Sequence, residues 1–350
     1  MLPPPALRGI FRTDARARAA YSEGAGIYRI LPQAVALPKD IADLKVLISW
    51  AADHRVPLVA RGAGSAMGGG NVGEGVVVDL AGFSYPLHID PSSRVATTGA
   101  AVTLGQLNAA AAAHGLRLPP DPSSGAWATL GGMVSTNAAG ARSVRFGSVR
   151  RWVTGLTLIT ADAEEVALRR GRAEPGEAVA ALERFGKDIA PRLRAAASLI
   201  SSRFPGVRKN SSGYALDAYV SSGDVLDLII GAEGTLGIVT EVVWRLDPVP
   251  ECRAGMRIQL PSLDHLHAVV AAINQHEPSA VELLDRSFLD LVGPSHRVAA
   301  GLHDKVEALL LVEFERDQQH ALRETLALAE RAARPWAVSV DTAYSGDADR

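Results

Sequence analysis

The chain has 350 residues, 47% apolar and 21% charged, enough to bury a large core and to divide into two domains. Its 36 basic and 38 acidic side chains leave a formal charge of −2 and are spread along the whole length, so no field of one sign points to a nucleic-acid or membrane partner. The single cysteine, Cys252, excludes an intrachain disulfide and a cysteine-ligated iron–sulfur cluster or zinc site, so electrons leaving any redox centre here must pass to something outside the chain.

Pro3, Pro4, Pro5, Arg8 and Arg12 stand where a secretory signal needs an apolar core, and no apolar run is long enough to cross a bilayer. A cytoplasmic location is therefore expected, with any membrane association peripheral and through a partner. Residues 1–25 read as an N-terminal extension. From Gly26 the pattern is strand (Ile30 to Leu37), helix capped by Asp40 with Ile41, Leu44, Leu47, Ile48 and Ala51 at helical spacing, then strand (Pro57 to Ala60). A glycine-rich stretch, ARGAGSAMGGGNVGEGVVVDL, then runs from Ala60 to Leu80 and ends in a short β-branched strand at Val76. A strand (Arg94 to Ala101) and a helix (Thr103 to His114, closed by Gly115) follow.

The segment from Leu118 to Gly147 is punctuated by prolines and glycines, and a loop of that length inside a domain is either functional or disordered. Trp127, Leu130, Met133 and Val134 argue against disorder. Strands resume at Val153 to Ala161 and Glu165 to Arg169, helical patterning covers Glu177 to Phe185 and Pro191 to Phe204, and a second glycine-rich strand region spans Leu228 to Leu246. Pro248 and Pro250 mark a boundary. Beyond it, strand, helix, strand, short helix (Ser287 to Val292), strand, helix and strand alternate to Val340, the pattern of an α/β or α+β unit.

Glycine permits positive φ and close ligand approach, so the first loop can turn successive N–H groups toward a phosphate. A dinucleotide-binding Rossmann loop must open into a helix; this one opens into a strand. A P-loop needs Gly-Lys-Ser/Thr, whereas Gly68, Gly69 and Gly70 are followed by Asn71. A flexible hairpin linker accounts for the same cluster without a ligand. The second segment, PPDPSSGAWATLGGMVSTNAAGARSVRFGSVRRW from Pro119, offers Ser123, Ser124, Thr129, Ser135, Thr136 and Asn137 as hydrogen-bonding groups. The third, GAEGTLGIVTEVVWRL from Gly231, places Gly234 and Gly237 in a strand pattern, which weakens the strand unless something must approach its backbone.

In order and wording these three segments resemble the PCMH-type FAD-binding domain of the vanillyl-alcohol oxidase and p-cresol methylhydroxylase superfamily, nearest its branch of glycolate oxidase FAD subunits, D-lactate dehydrogenases and D-2-hydroxyglutarate dehydrogenases. The resemblance implies an α+β fold: a two-subdomain FAD-binding domain over residues 26–248, then a substrate or cap domain over 249–350 that is ferredoxin-like and incomplete. It implies that Arg61, Gly62, Ala63, Gly64, Ser65 and Gly69 wrap the FAD pyrophosphate. Pro120, Asp121, Ser124, Thr129, Gly131, Gly132, Thr136, Asn137 and Gly140 are then expected along the pyrophosphate, ribityl chain and flavin, and Glu233, Gly234, Gly237, Ile238 and Val239 at the adenosine and flavin side. Some members attach FAD through a histidine in the first loop; Ser65 stands there, so a noncovalent flavin is expected.

The activity implied is hydride transfer from a D-2-hydroxy acid (glycolate, D-lactate or D-2-hydroxyglutarate) to flavin and on to a quinone, cytochrome, electron-transfer flavoprotein or iron–sulfur subunit. The family's substrate arginine and histidine-rich metal motif lie in the C-terminal part of its second domain and are not met before Arg350, so no metal ligand and no catalytic base is assigned, and a divalent metal would depend on residues beyond this chain. His265 and His267, one residue apart on a helix, point in different directions. Arg142, Arg145, Arg150 and Arg151 can face an anionic substrate or FAD phosphates, or form a solvated surface. Lys209, Asn210 and Tyr214 resemble a family segment near the active site, and Glu282 and Asp285 one that opens the substrate domain. Two alternatives stay open: a non-catalytic flavin-binding subunit or truncated fragment serving in assembly, and reduction of an enolpyruvyl nucleotide with NADPH. The wording PPDPSS and EGTLGIVTE argues against the latter.

Overall fold

The computed structural model describes residues 3–83, 87–171, 179–207, 209–291, 293, 301–302 and 305–344. The expected helix residues Glu177 and Val292 lie outside them. The chain divides into two units: Met1–Ala139 with Ser148–Asp247, and Gly140–Gly147 with Pro248–Arg350.

The first unit contains two sheets. In the smaller, β1 (Ile10–Arg12) pairs antiparallel with β2 (Ala34–Leu37); helix α1 (Ile41–His54) then leads to β3 (Leu58–Arg61), and β4 (Val76–Asp79) inserts between β2 and β3, parallel to both. The region expected as an extension thus supplies an edge strand. Asp40 caps α1 by accepting the N–H of Asp43 at 3.1 Å, and Arg55 closes it in the left-handed conformation. Asp43, buried in the first turn, accepts the N–H groups of Arg8, Gly9 and Lys39 at 3.1, 2.8 and 2.9 Å, which ties the N-terminal segment to the helix. Leu44, Leu47 and Ile48 pack on Ala34, Ala36, Val76 and Val78, and Ile159 and Ile238 join this core from the larger sheet.

That sheet is built from β5 (His88–Asp90), β6 (Val95–Gly99), β7 (Val153–Ile159), β8 (Glu165–Arg169) and β9 (Ile238–Arg245), in the order β5-β6-β9-β7-β8, antiparallel throughout. Helix α2 (Leu104–Ala112) follows β6 with a complete Thr103/Gln106 capping box. The long proline- and glycine-rich segment is mostly irregular but holds a short helix, α3 (Leu130–Ser135), whose Leu130, Met133 and Val134 are buried. Trp127 departs from that expectation: it is 75% exposed. Gly234 and Gly237 lie in a turn, and the strand begins only at Ile238.

The second unit follows β–α–β–β–α–β order. Strands β10 (Cys252–Leu260), β11 (Ala280–Asp285), β12 (Ala308–Arg316) and β13 (Ser339–Tyr344) form one antiparallel sheet in the order β11-β12-β10-β13, the ferredoxin-like arrangement. Two helices, α4 (Leu266–Asn274) and α5 (Gln319–Ala333), cover one face. Val269 and Ile273 from the first and Leu322, Leu326, Ala329 and Ala333 from the second meet Met256, Ile258, Leu310, Val312 and Phe314. Period two in the strands and the i, i+4, i+7, i+11 stripe in α5 make this one apolar layer. The segment Gly140–Gly147 belongs to this unit. Arg142 forks onto Glu313 at 2.9 and 3.1 Å, Ser279 Oγ donates to the same carboxylate at 3.1 Å, and Arg145 donates to the carbonyl of Glu315 at 3.0 Å.

Candidate functional site

The first and third singled-out segments and the part of the second up to Ala139 converge within the first unit. The first leaves β3 at Arg61 and re-enters the sheet at Val76. Among the described residues, no main-chain N–H from Gly62 to Asn71 donates to a protein acceptor. Ala63, Met67, Gly68 and Gly70 are exposed to water, whereas Gly62, Gly64, Ser65, Ala66, Gly69 and Asn71 are at least half-buried, and donors held there need a partner from elsewhere. The loop is held open by its own side chains: Arg61 Nη1 donates to the carbonyl of Asn71 at 3.2 Å, and the buried Asn71 donates to the carbonyl of Ala66 at 3.2 Å. Gly64 and Gly69 take φ of +72° and +83°, where a side chain would be strained. A β-carbon on Gly68 would meet nothing within 4 Å, and one on Gly70 would reach only the Glu233 carboxylate. Ala63 is exposed, Ser65 half-buried.

The second segment lies against the first. Thr129 occupies the N-cap position of α3 without a capping bond from its side chain, and its hydroxyl is turned to Gly62. Pro120 is buried, Asp121 and Ser124 are half-buried, and Gly131 packs so closely on Ala100 that a β-carbon would lie 2.6 Å from that residue's own. Thr136 donates back to the carbonyl of Gly132 at 3.0 Å. Asn137 is buried with φ +48°, and its Oδ1 accepts the N–H of Arg150 at 3.3 Å. Gly140 lies in the second unit.

The third segment is bonded onto the second: Gly231 and Glu233 donate main-chain bonds to the carbonyls of Val134 and Ser135 at 3.0 and 2.9 Å. Glu233, with φ +52°, thereby brings its carboxylate beside Gly70. Gly237 packs on Leu158 and Ile159, and Ile238 and Val239 point into buried strand positions. Beside this turn, Arg55, Ala60, Thr160, Gly234, Thr235 and Gly237 line a cavity of about 360 Å³.

Two clusters that hold these loops were not read as a site from the sequence. Tyr21, from the N-terminal region, donates its hydroxyl to Asp79 Oδ2 at 2.5 Å, and the Arg61 guanidinium stands 5.3 Å over its ring. Burial first, and then the bond to Asp79, push the Tyr21 phenol up to about 12. The other cluster centres on Asp227. Arg150 and Arg170 both reach its carboxylate, at 3.3 and 3.2 Å, and Ser222 donates to it at 2.7 Å. Burial favours its neutral form, but the Ser222, Arg170 and Arg150 contacts prevail and hold the carboxyl below its ordinary value. Arg150 also donates to the carbonyl of Ile230, the residue before the third turn. It is thus a strut between the second and third segments, and the basic group expected from Arg142 to Arg151 is divided: Arg142 and Arg145 sit in the second unit and Arg150 is engaged with Asp227. No shared signal in sequence marks Asp227 and Arg170, which are 57 positions apart.

Of the other candidates, Lys209 is exposed and Tyr214 is hydrogen-bonded to Thr235 at 2.7 Å. His265 lies beside Trp336 and His267 lines an apolar recess of the second unit. Among the described residues, no group of three His, Cys, Asp or Glu side chains is placed to hold a metal ion, and no helix is long and apolar enough to cross a membrane.

Residues 32–169 match the FAD binding domain family and residues 249–350 the C-terminal domain of FAD linked oxidases. The chain thus matches FAD-linked oxidases in both of its regions. It is 30% identical over 284 residues to D-lactate dehydrogenase of Archaeoglobus fulgidus, covering 80% of this chain and 54% of the relative. It is 27% identical to glycolate oxidase subunit GlcD of Bacillus subtilis, covering 91% and 59%. The chain thus spans little more than half the length of these relatives. An alkyldihydroxyacetonephosphate synthase structure shares the fold, with a TM-score of 0.66 at 17% identity over 95% of this chain and 59% of that one. The donor set fits the cofactor of the FAD-linked oxidase family: unpaired amides and glycine spaces suit a pyrophosphate, and the adjoining cavity is large enough for a heteroaromatic ring system.

Proposed function

We propose that this chain is the flavin-binding part of an FAD-dependent dehydrogenase that oxidises a D-2-hydroxy acid of the glycolate, D-lactate or D-2-hydroxyglutarate class and passes the electrons to an external acceptor. The observation that carries the reading is the run of amides from Gly62 to Asn71 without a protein acceptor, enclosed by Thr129 and Glu233 from the other two segments. FAD, when bound, supplies the ring that accepts hydride. The chain's own residues bind and orient. Arg61, Gly62, Ala63, Gly64, Ser65 and Gly69 would hold the pyrophosphate, with Pro120, Asp121, Ser124, Thr129, Gly131, Gly132, Thr136, Asn137 and Gly140 continuing along the cofactor. The cavity beside Glu233, Gly234, Gly237, Ile238 and Val239 would take the adenine. Arg150, paired with Asp227, keeps the second and third segments in register. Ser65 has no nucleophilic nitrogen to offer, so the cofactor is held without a covalent bond.

The test is reduction of the bound flavin. The purified chain, loaded with FAD, is exposed anaerobically to glycolate, D-lactate, D-2-hydroxyglutarate and NADPH. Bleaching of the flavin by a hydroxy acid and not by NADPH is expected. Flavin bleached by NADPH alone overturns the reading, and flavin that stays oxidised with every donor favours a non-catalytic flavin-binding subunit or a fragment lacking its active-site half. Heat or acid precipitation should leave the yellow colour in solution; colour retained in the pellet would show a covalent bond.

A further inference from the structure

The first unit holds a second cavity, which shares only Thr160 with the lining of the one beside Gly234 and Gly237. Its volume is about 300 Å³, and Leu158, Val166 and Leu168 of the β7–β8 hairpin form one wall. Helical segments between Ala180 and Ile229 form the other. Apart from Thr160 and Tyr214, every lining side chain is apolar. Protein interiors pack as densely as organic crystals and contain few voids larger than a water molecule. An apolar space of this kind favours apolar molecules, and its dimensions reach the lower end of those of a small-molecule site.

The helical wall changes pitch at the cavity itself. Phe185–Ile189 forms a π-helical turn between Ala180–Arg184 and Ala190–Ala195, and both ends of that turn, Phe185 and Ile189, line the space. Interruptions of this kind recur at functional sites. Tyr219 braces Phe185 edge to face from behind, with ring centroids 5.4 Å apart, so the Phe185 ring is a fixed surface for another ring.

Polarity at the mouth selects the guest further. Ile189, Tyr214 and Leu236 are the exposed members of the lining, at 41%, 41% and 40%. Thr235 donates its one hydroxyl proton to the carbonyl of Ala232 at 2.6 Å, so in its 2.7 Å contact with Tyr214 the phenol must be the donor. The Tyr214 oxygen is left with acceptor capacity alone. A guest that hydrogen-bonds to Tyr214 must therefore bring a donor of its own, and apolar walls disfavour an anion. From this geometry we infer that the cavity binds a small neutral ring compound bearing a hydroxyl group, its ring against Phe185 and its hydroxyl donated to Tyr214. The inference does not depend on flavin binding.

The probe is 2-naphthol, titrated calorimetrically into the full chain, with 2-methoxynaphthalene as the matched compound that lacks a donor. One 2-naphthol per chain is expected, with the methyl ether about three- to tenfold weaker, the worth of one hydrogen bond. Tyr214→Phe should bring the two compounds to equal affinity. Leu182→Trp or Ala181→Phe, which fill the cavity, should abolish binding of both while circular dichroism stays native. The inference is overturned by no binding at millimolar probe, by equal affinity of the two compounds for the unmodified chain, or by full affinity in a folded cavity-filling variant. Should neither filling variant fold, a photoreactive naphthol on the unmodified chain decides: label within residues 179–193 or 214–236 supports the site, and label elsewhere refutes it.

Discussion

Gly62 and Thr129 are in direct contact across two loops: a β-carbon on Gly62 would lie 2.0 Å from Thr129 Oγ1. No L side chain fits there unless Thr129 moves. Gly62→Ala is expected to weaken FAD binding about tenfold or more, since overpacking of this kind costs about 1–3 kcal/mol. Thr129→Ala in the same chain removes the hydroxyl and should restore part of the loss. Flavin fluorescence titration of the single and double variants checks this, and an undiminished affinity in Gly62→Ala would show that the contact is unimportant to the cofactor.

The Arg150–Asp227–Arg170 cluster predicts a large stability effect at one residue. Asp227→Asn leaves Arg150 without its carboxylate and Arg170 with only Asp224, 3.5 Å away, and breaking a buried pair costs about 3–5 kcal/mol; the remaining Asp224 contact and the partial exposure of Arg170 place the expected loss near the lower end. The midpoint of urea unfolding should fall with little change in slope. Because the Asp227 carboxyl is held below its ordinary value, the unfolded chain protonates first as pH falls. The stabilisation is thus complete above the unfolded carboxyl value of about 4 and is lost as pH drops through the depressed folded value. The stability gap between the native chain and Asp227→Asn should therefore narrow in acid.

Tyr21 and Asp79 predict the opposite pH dependence. With its phenol raised to about 12, Tyr21 stays protonated in the folded chain when the unfolded chain has begun to ionise. Its contribution is complete below about pH 10 and disappears as pH rises to about 12. Tyr21→Phe should cost about 1 kcal/mol at neutral pH and should show a shallower loss of stability in alkali. Tyrosinate absorbance followed through the same range should lose its latest-titrating component in the variant.

Arg142 predicts local protection of the segment Gly140–Gly147. Its bidentate contact with Glu313 holds a stretch bounded by two glycines of positive φ, at +145° and +68°. Arg142→Ala should raise the rate of proteolytic cleavage within residues 140–147 several-fold while the ferredoxin-like sheet stays folded. Cleavage at an unchanged rate would show that the segment is held by other contacts.

Much of the local structure was legible in sequence because its causes are local. Asp40 caps the helix it was read to begin, the helix expected from Thr103 begins there, and Glu165–Arg169 is the strand expected. The glycine turn before β9 was misread as strand because Ile238 and Val239 continue the β-branched pattern, whereas positive φ at Gly234 and Gly237 is a property of the backbone. Trp127, counted with Leu130, Met133 and Val134 as arguing against disorder, is exposed while those three are buried; composition reports that a side chain is apolar, not which way its loop turns.

By itself the sequence determined the element types, the order of three small-residue segments and their resemblance to an FAD-binding domain, because capping, periodicity and glycine spacing act over a few residues. Tertiary structure alone decided that Tyr21 reaches Asp79, that Arg150 pairs with Asp227, and that Gly140–Gly147 leaves the first unit for the second. Those outcomes depend on which distant charges are desolvated together, and no local pattern encodes the partner of a buried charge.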